Sequence, residues 1–261
     1  MTENAAPSGF SDLWKRAITG IVLIVVAVAA LFAGGWAFWL LVTFLALAMI
    51  AEWAGLMKAP RWKIFMGIAA MLGIMVFAHP LFRLIDVTSL YVLLAGCIAL
   101  AALGLSPRLG GGLLYVGLGS LAILFLREQS GVVLTLWTLA IVWATDIGAY
   151  FSGKTIGGPK LAPQFSPNKT WAGLVGGVIC AGLVSVVFAA QTALPALIVP
   201  LAALFAIVAQ SGDLFESWLK RRADVKDSSN LFPGHGGALD RLDGLLPVAI
   251  GVAALSGAGL L

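Results

Sequence analysis

"ITGIVLIVVAVAALFAGGWAFWLLVTFLALAMIAEWAGL", Ile18 to Leu56, carries a single charged residue, Glu52, and shows no alternation of apolar with polar positions. A bilayer core about 30 Å thick is crossed by roughly 20 apolar helical residues. The stretch divides at Gly34-Gly35 into two pieces of about that length, near 17–33 and 36–57. Continuous apolar runs suit helices, whereas a transmembrane barrel would alternate with a period of two.

Runs of the same kind recur near 64–78, 89–105, 110–126, 131–150, 171–190, 194–213 and 244–261. The 261 residues are 61% hydrophobic and 11% charged. Their mean hydropathy of +1.02 lies far above that of a water-soluble domain. The expected fold class is an all-α integral membrane protein, a polytopic helical bundle of about nine transmembrane helices with a cytoplasmic N-terminus. Cytoplasmic loops retain Lys and Arg. With that orientation fourteen basic residues fall inside (Lys15, Arg16, Lys58, Arg61, Lys63, Arg108, Lys154, Lys160, Lys169, Lys220, Arg221, Arg222, Lys226 and Arg241) and only Arg83 and Arg127 outside. The net charge of +4 follows from this bias and suits anionic headgroups. The first run is long and lacks a small-residue cleavage site, so it reads as an uncleaved helix. Cys97 and Cys180 sit inside apolar runs as small hydrophobes, without metal spacing or a disulfide framework.

Polar residues are unevenly spread. Between 17 and 145 the acids are Glu52, Asp86 and Glu128, each near a predicted helix end and read as solvated, so residues 1–145 are expected to be transmembrane scaffold. From Asp146 to Asp243 there are seven of the twelve acids and eight of the sixteen basic residues. Residues 146–261 are therefore expected to form the catalytic region, with cytoplasmic loops 151–169 and 214–243.

"GAYFSGKT", Gly148 to Thr155, spells a phosphate-binding P-loop. An apolar helical run precedes it in place of a strand, and Gly157, Gly158 and Pro159 oppose a following helix, so the nucleotide-hydrolase reading is rejected. Asp146 reads either as an interfacial helix-end acid or as a cavity acid. In "GPKLAPQFSPNKTWAG", Gly158 to Gly173, three prolines imply a stiff loop displaying Lys160, Ser166, Asn168, Lys169 and Thr170. Ser166 to Thr170 either simply cap the seventh span or, with its first amides, hold an anion.

Asp213, Glu216 and Lys220 share one helical stripe, with Ser217 a turn beyond Asp213. A solvated helix end accounts for Glu216. In "PGHGGALDRLDG", Pro233 to Gly244, glycines surround His235, and Asp240 and Asp243 stand at i and i+3 of an expected last helix. The two acids either complement the helix dipole or converge with Asp213 on a cation. Carboxylates with phosphate and water oxygens suit Mg2+, and two histidines with two cysteines supply zinc poorly.

Ser217, Lys220, Arg221, Lys226, Asp227, Pro233 to Gly237, Asp240, Arg241 and Asp243 together resemble the signature of the phosphatidate cytidylyltransferase (CDP-diacylglycerol synthase) family. Asp146, Ala149-Tyr150, the 158–173 loop and Gly212-Asp213 extend the resemblance over 146–243. Ala172 departs from it, standing where the family usually has an acid. The resemblance implies cytidylyl transfer from CTP to phosphatidate, giving CDP-diacylglycerol and pyrophosphate; the charge partition sets the site on the cytoplasmic face, and the bacterial look of the chain suggests an inner membrane. The resemblance also implies Mg2+ on Asp213 and Asp240, with Asp243 a third ligand or an orienter, and leaves open a second cation such as K+. Lys169, Lys220, Arg221, Lys226 and Arg241 would neutralise phosphates, and His235 would hydrogen-bond a phosphate or ligand. Asp146, Ser166, Asn168, Thr170, Ser217, Asp227, Gly236 and Gly237 would complete the substrate site. Homodimers occur in the family, and no nucleic-acid partner is expected. The competing class is an ion- or proton-coupled transporter, disfavoured because charges gather in loops on one face and no inverted repeat is evident.

Overall fold

A computed structural model describes residues 10–80, 85–102, 106–232 and 234–261. Pro233 of the glycine-rich stretch, Arg83, the end of the fourth apolar run at 103–105 and the side chains of Lys15 and Arg16 lie outside the described residues.

Helices occupy the apolar runs: α1 (Phe10–Ala33), α2 (Gly35–Leu56), α3 (Arg61–Phe77), α4 (Val87–Ala102), α5 (Pro107–Phe125), α6 (Val132–Thr155), α7 (Trp171–Gln191), α8 (Ile198–Ala223), a single turn α9 (Leu239–Leu242) and α10 (Leu245–Gly257). Among the described residues five helical stretches, Gly35–Leu56, Pro107–Ser130, Val132–Thr155, Trp171–Gln191 and Ile198–Ala223, are long and apolar enough to cross a membrane. Three shorter apolar helices, Ile18–Ala33, Thr88–Ala102 and Leu245–Gly257, accompany them. The chain is an all-α membrane protein with one small sheet. Gly34 and Gly35, at φ 62° and 49°, make the break between α1 and α2, in a backbone region that other residues rarely adopt.

Two expected loops are shorter than the sequence suggested. Helix α6 continues to Thr155, its hydroxyls turned back onto the helix: Ser152 Oγ donates to the Gly148 carbonyl and Thr155 Oγ1 to that of Phe151, both over about one turn. The P-loop spelling therefore lies wholly inside a helix, where its amides are already used. Beyond Gly157 and Gly158, both at positive φ, the proline-rich stretch folds as an antiparallel hairpin, β1 (Lys160–Ala162) with β2 (Ser166–Thr170), pairing Lys160 with Thr170 and Ala162 with Ser166. Helix α8 likewise runs on to Ala223 through Lys220, Arg221 and Arg222, cations that favour a helix C-terminus. It stops at Asp224 in the left-handed conformation.

Burial forms two clusters. One joins α2 to α5 through Met49, Met71, Leu93 and Leu113 and also takes in Leu219, Leu239 and Leu246. The other joins α6, α8 and α10 through Trp137, Ile141, Phe205 and Val248 and takes in Leu126. Packing is thus shared across residue 145. Helices α6 and α7 approach backbone to backbone: a Cβ on Gly148 would lie 2.6 Å from the Gly176 carbonyl oxygen, and one on Gly177 2.9 Å from that of Thr145. Small residues permit such approach in membranes, and it fixes the hairpin between the two helices over the end of α6.

Candidate active site

Lys169, near the end of β2, reaches across to α8, where its ammonium pairs with the Asp213 carboxylate and donates to Gln210 Oε1 at 2.8 Å. Gln210 and Asp213 are one turn apart on α8, so both face the hairpin. Ser217, the next turn, donates to Asp213 Oδ1 at 3.4 Å. Asp243 lies at the junction of α9 and α10, where the backbone of α8 passes so closely at Gly212 that a Cβ there would overlap the Asp243 carbonyl. The Tyr115 hydroxyl donates to that carbonyl at 3.4 Å. Burial pushes the Asp243 carboxyl upward, the negative charges of Asp213 and Asp146 add to this, and the Gly244 amide and Lys169 oppose it. Asp146 of α6, Asp213 of α8 and Asp243 at the α9–α10 junction therefore act on one another electrostatically, and Lys169, paired with Asp213, offsets the charge felt by Asp146 and Asp243.

Asp240 does not join this group. Its Oδ1 receives Lys220 Nζ at 2.6 Å, and its Oδ2 receives the Ser228 amide at 2.9 Å, the Ser228 hydroxyl at 2.7 Å and the Gly237 amide at 2.7 Å. Lys220 also pairs with Glu216 at 2.6 Å. Burial alone would raise the Asp240 carboxyl, but its hydrogen bonds with Glu216, Lys220, the Gly237 amide and Ser228 outweigh burial and hold it at about 2. Beside it, Glu52 of α2 accepts from the Ala238 and Leu239 amides at 2.9 and 2.7 Å and from Ser229 Oγ at 2.6 Å. Ser228 Oγ stands 3.2 Å from Glu52 and closer to Asp240.

The two carboxylates explain the glycines. Gly236 holds φ 77°, and any side chain on Gly237 would collide with Glu52 and Ser228. The loop closes with Phe232 and Gly236 bridged, and Arg241 Nε donates to the His235 carbonyl at 2.7 Å.

The profile described as "Cytidylyltransferase family" matches residues 14–257. The chain belongs to this family. Its curated relatives include phosphatidate cytidylyltransferase of Brucella suis biovar 1, 40% identical over 249 residues, covering 92% of this chain and 91% of that protein. The protein of the same name from Rickettsia typhi is 29% identical over 261 residues, 92% of each. That from Bacillus subtilis is 46% identical over 122 residues, covering 46% of this chain and 45% of its own.

In this cytidylyltransferase the residues singled out from sequence fall into three groups. Asp146, Lys169, Asp213, Ser217 and Asp243 come together. Lys220, Gly236, Gly237, His235, Asp240 and Arg241 build the glycine loop, where Asp240 and Lys220, expected on metal and phosphate, pair with each other. Lys226, Asp227 and Asn168 are exposed, Ser166 is half-buried on β2, and Arg221 Nε donates to the Phe165 carbonyl at 3.3 Å, bracing the hairpin. Thr170 is buried, and its hydroxyl caps α7 by accepting from the Gly173 amide at 3.1 Å.

Two acids correct the sequence reading. Glu52 and Glu216, read as solvated, are 6% and 3% exposed. Glu52 was marked by being the one charge in the apolar stretch that defines α1 and α2; Gln210, Ser228 and Ser229 carried no comparable signal.

Proposed function

We propose that the acid and lysine cluster at the hairpin is the centre at which CTP and phosphatidate react to give CDP-diacylglycerol and pyrophosphate. The observation that carries this is the Lys169 ammonium paired with Asp213, with the charges of Asp146 and Asp243 acting on the same place. Opposed charges gathered at the end of an apolar bundle are what the meeting of two polyanions requires. The relatives' name supports the substrates. The transporter reading has no support in the comparisons.

A divalent cation belongs to this reading. Among the described residues no three Asp, Glu, His or Cys side chains gather closely enough to enclose an ion. Mg2+, however, ordinarily takes one or two carboxylates and completes its shell with phosphate and water oxygens. Asp213 and Asp243 fit as those ligands, and a lysine ammonium already stands in the cationic position beside Asp213. When bound, Mg2+ would supply charge to the triphosphate and make its α-phosphorus more electrophilic.

The chain's own residues do the rest. Phosphatidate attacks the α-phosphorus through a monoester oxygen, and pyrophosphate leaves. Since the second pKa of a phosphate monoester is about 6, the nucleophile is already anionic near neutral pH and needs no base. Lys169 neutralises phosphate oxygens, and Arg221, Arg241 and Lys226 supply further positive charge. Lys220 and Asp240, joined to each other, keep the glycine loop in shape. Nine spans, a cytoplasmic N-terminus and a site facing the cytoplasm of a bacterial inner membrane complete the reading, supported by the fourteen-to-two partition of basic residues.

The test is pyrophosphate release from CTP by the purified protein, with and without phosphatidate and Mg2+. Release matched one-to-one by CDP-lipid and lost on chelation is expected. A folded protein that releases none would overturn the proposal.

A further inference from the structure

A second concave site lies behind Tyr115, whose ring meets Trp53 and Phe215 while its hydroxyl donates to the Asp243 carbonyl. On α8 the residues Phe215, Trp218 and Arg222 follow at i, i+3 and i+7, on the face opposite Asp213, Ser217 and Lys220. With Trp53 of α2 and Arg108 and Gly111 of α5 they line a cavity of about 330 Å³. Its walls are aromatic: Phe215 and Trp218 stack at 6.0 Å between ring centroids, and Trp53 lies 6.1 Å from Phe215. Its charge is cationic. Lys58, Arg108 and Arg222 all line it, with Arg222 set over the Trp218 ring at 4.9 Å. Asp224 lies 3.6 Å from Lys58.

Three positive side chains over an aromatic wall form an amphipathic receptor: charge for a phosphate, apolar surface for what is attached to it. Arg binds phosphate through a planar fork, and Trp with Lys and Arg is the composition that meets lipid headgroups at a membrane surface. The helices that line the cavity are apolar below it. The geometry points to a binding site for the phosphate of an anionic phospholipid, separate from the Asp213 and Asp243 centre. The aromatic wall takes the glycerol and the first acyl carbons.

Phosphatidylglycerol is the probe, because its phosphodiester headgroup lacks the monoester that the reaction consumes. The full-length protein in neutral detergent is titrated with phosphatidylglycerol or phosphatidylcholine, and retained lipid is counted by native mass spectrometry. Wild type should retain one phosphatidylglycerol with a preference of roughly tenfold or more over phosphatidylcholine. Arg108→Gln with Arg222→Gln should reduce that preference to parity.

Gly111→Leu tests the cavity with every charge intact. A Cβ at Gly111 meets nothing within 4 Å, so the larger side chain fills open space, and it should abolish retention too. Asp213→Asn should retain lipid as wild type does, which separates this site from the reaction centre and keeps the result independent of turnover. Equal retention of the two lipids by wild type, or a preference unchanged in both pocket variants, would overturn the site. Displacement of the lipid by millimolar inorganic phosphate would reassign the cavity to a free phosphate and overturn the lipid assignment.

Discussion

Carboxylates that looked equivalent in sequence divide by what they touch. Asp213 has a cation and one hydroxyl as neighbours and lies half-buried; replacing it with Asn changes the charge and little else. We expect Asp213→Asn to lower turnover at least a hundredfold with an unchanged thermal midpoint in detergent, measured by CDP-lipid formation beside a melting curve. Asp240→Asn should behave differently, losing stability with activity, because Lys220, Ser228 and Gly237 all lose a charged acceptor. The pH dependence has a definite sign. Asp240 titrates near 2 when folded, below its ordinary 3.8, so its contribution is complete above that ordinary value and fades as pH falls toward about 2. An acid titration followed by tryptophan fluorescence should show wild type losing stability across that window, and Asp240→Asn lacking that part of the loss. Glu52→Ala leaves two backbone amides and a serine hydroxyl without their acceptor. It should cost about 3 kcal/mol or more, read as a lowered thermal midpoint, with Glu52→Gln recovering part of it. None of this was visible from spacing alone: a solvated acid and a buried one have the same letter, and only the depth of Glu52 inside an apolar stretch hinted at its partners.

Helices were the most legible elements, because each apolar run is long enough to demand one. Their ends were not. Apolarity locates the part of a helix inside the membrane, whereas α8 goes on for ten residues beyond Asp213, to Ala223, on the strength of its basic last turn. The prolines of 158–173 correctly excluded helix, yet nothing in them specified a hairpin, since Pro159, Pro163 and Pro167 all lie outside the paired positions of Lys160–Thr170 and Ala162–Ser166. The close approach of α6 and α7 belongs to this scale as well. Gly148→Val would drive its side chain into the Gly176 carbonyl and the Cys180 side chain. Separation of the two helices should displace the hairpin that carries Lys169, and overpacking of this kind typically costs 1–3 kcal/mol. The expected result is a raised KM for CTP with a lower midpoint; a variant with wild-type kinetics would show that the hairpin is positioned by other contacts, Arg221 among them.

Across the whole molecule, the polar end of the bundle collects parts from distant places in the chain: α2, the hairpin, α8 and the glycine loop. Topology is tested there. Gln164, exposed at the tip of the hairpin, should react as Gln164→Cys with a membrane-impermeant maleimide only from the cytoplasmic side, in a background with Cys97 and Cys180 replaced. Labelling from outside would reverse the orientation.

The first half of the chain looks from its composition like an interchangeable anchor, but Glu52 gives it an address. A chimera in which α2 is exchanged for an unrelated span of equal length and hydropathy would insert and pack against lipid like any other. Yet the amides of Ala238 and Leu239 would then face hydrocarbon in place of a carboxylate. Such a graft would produce a membrane protein with every residue of the catalytic signature present and no floor on which to fold it.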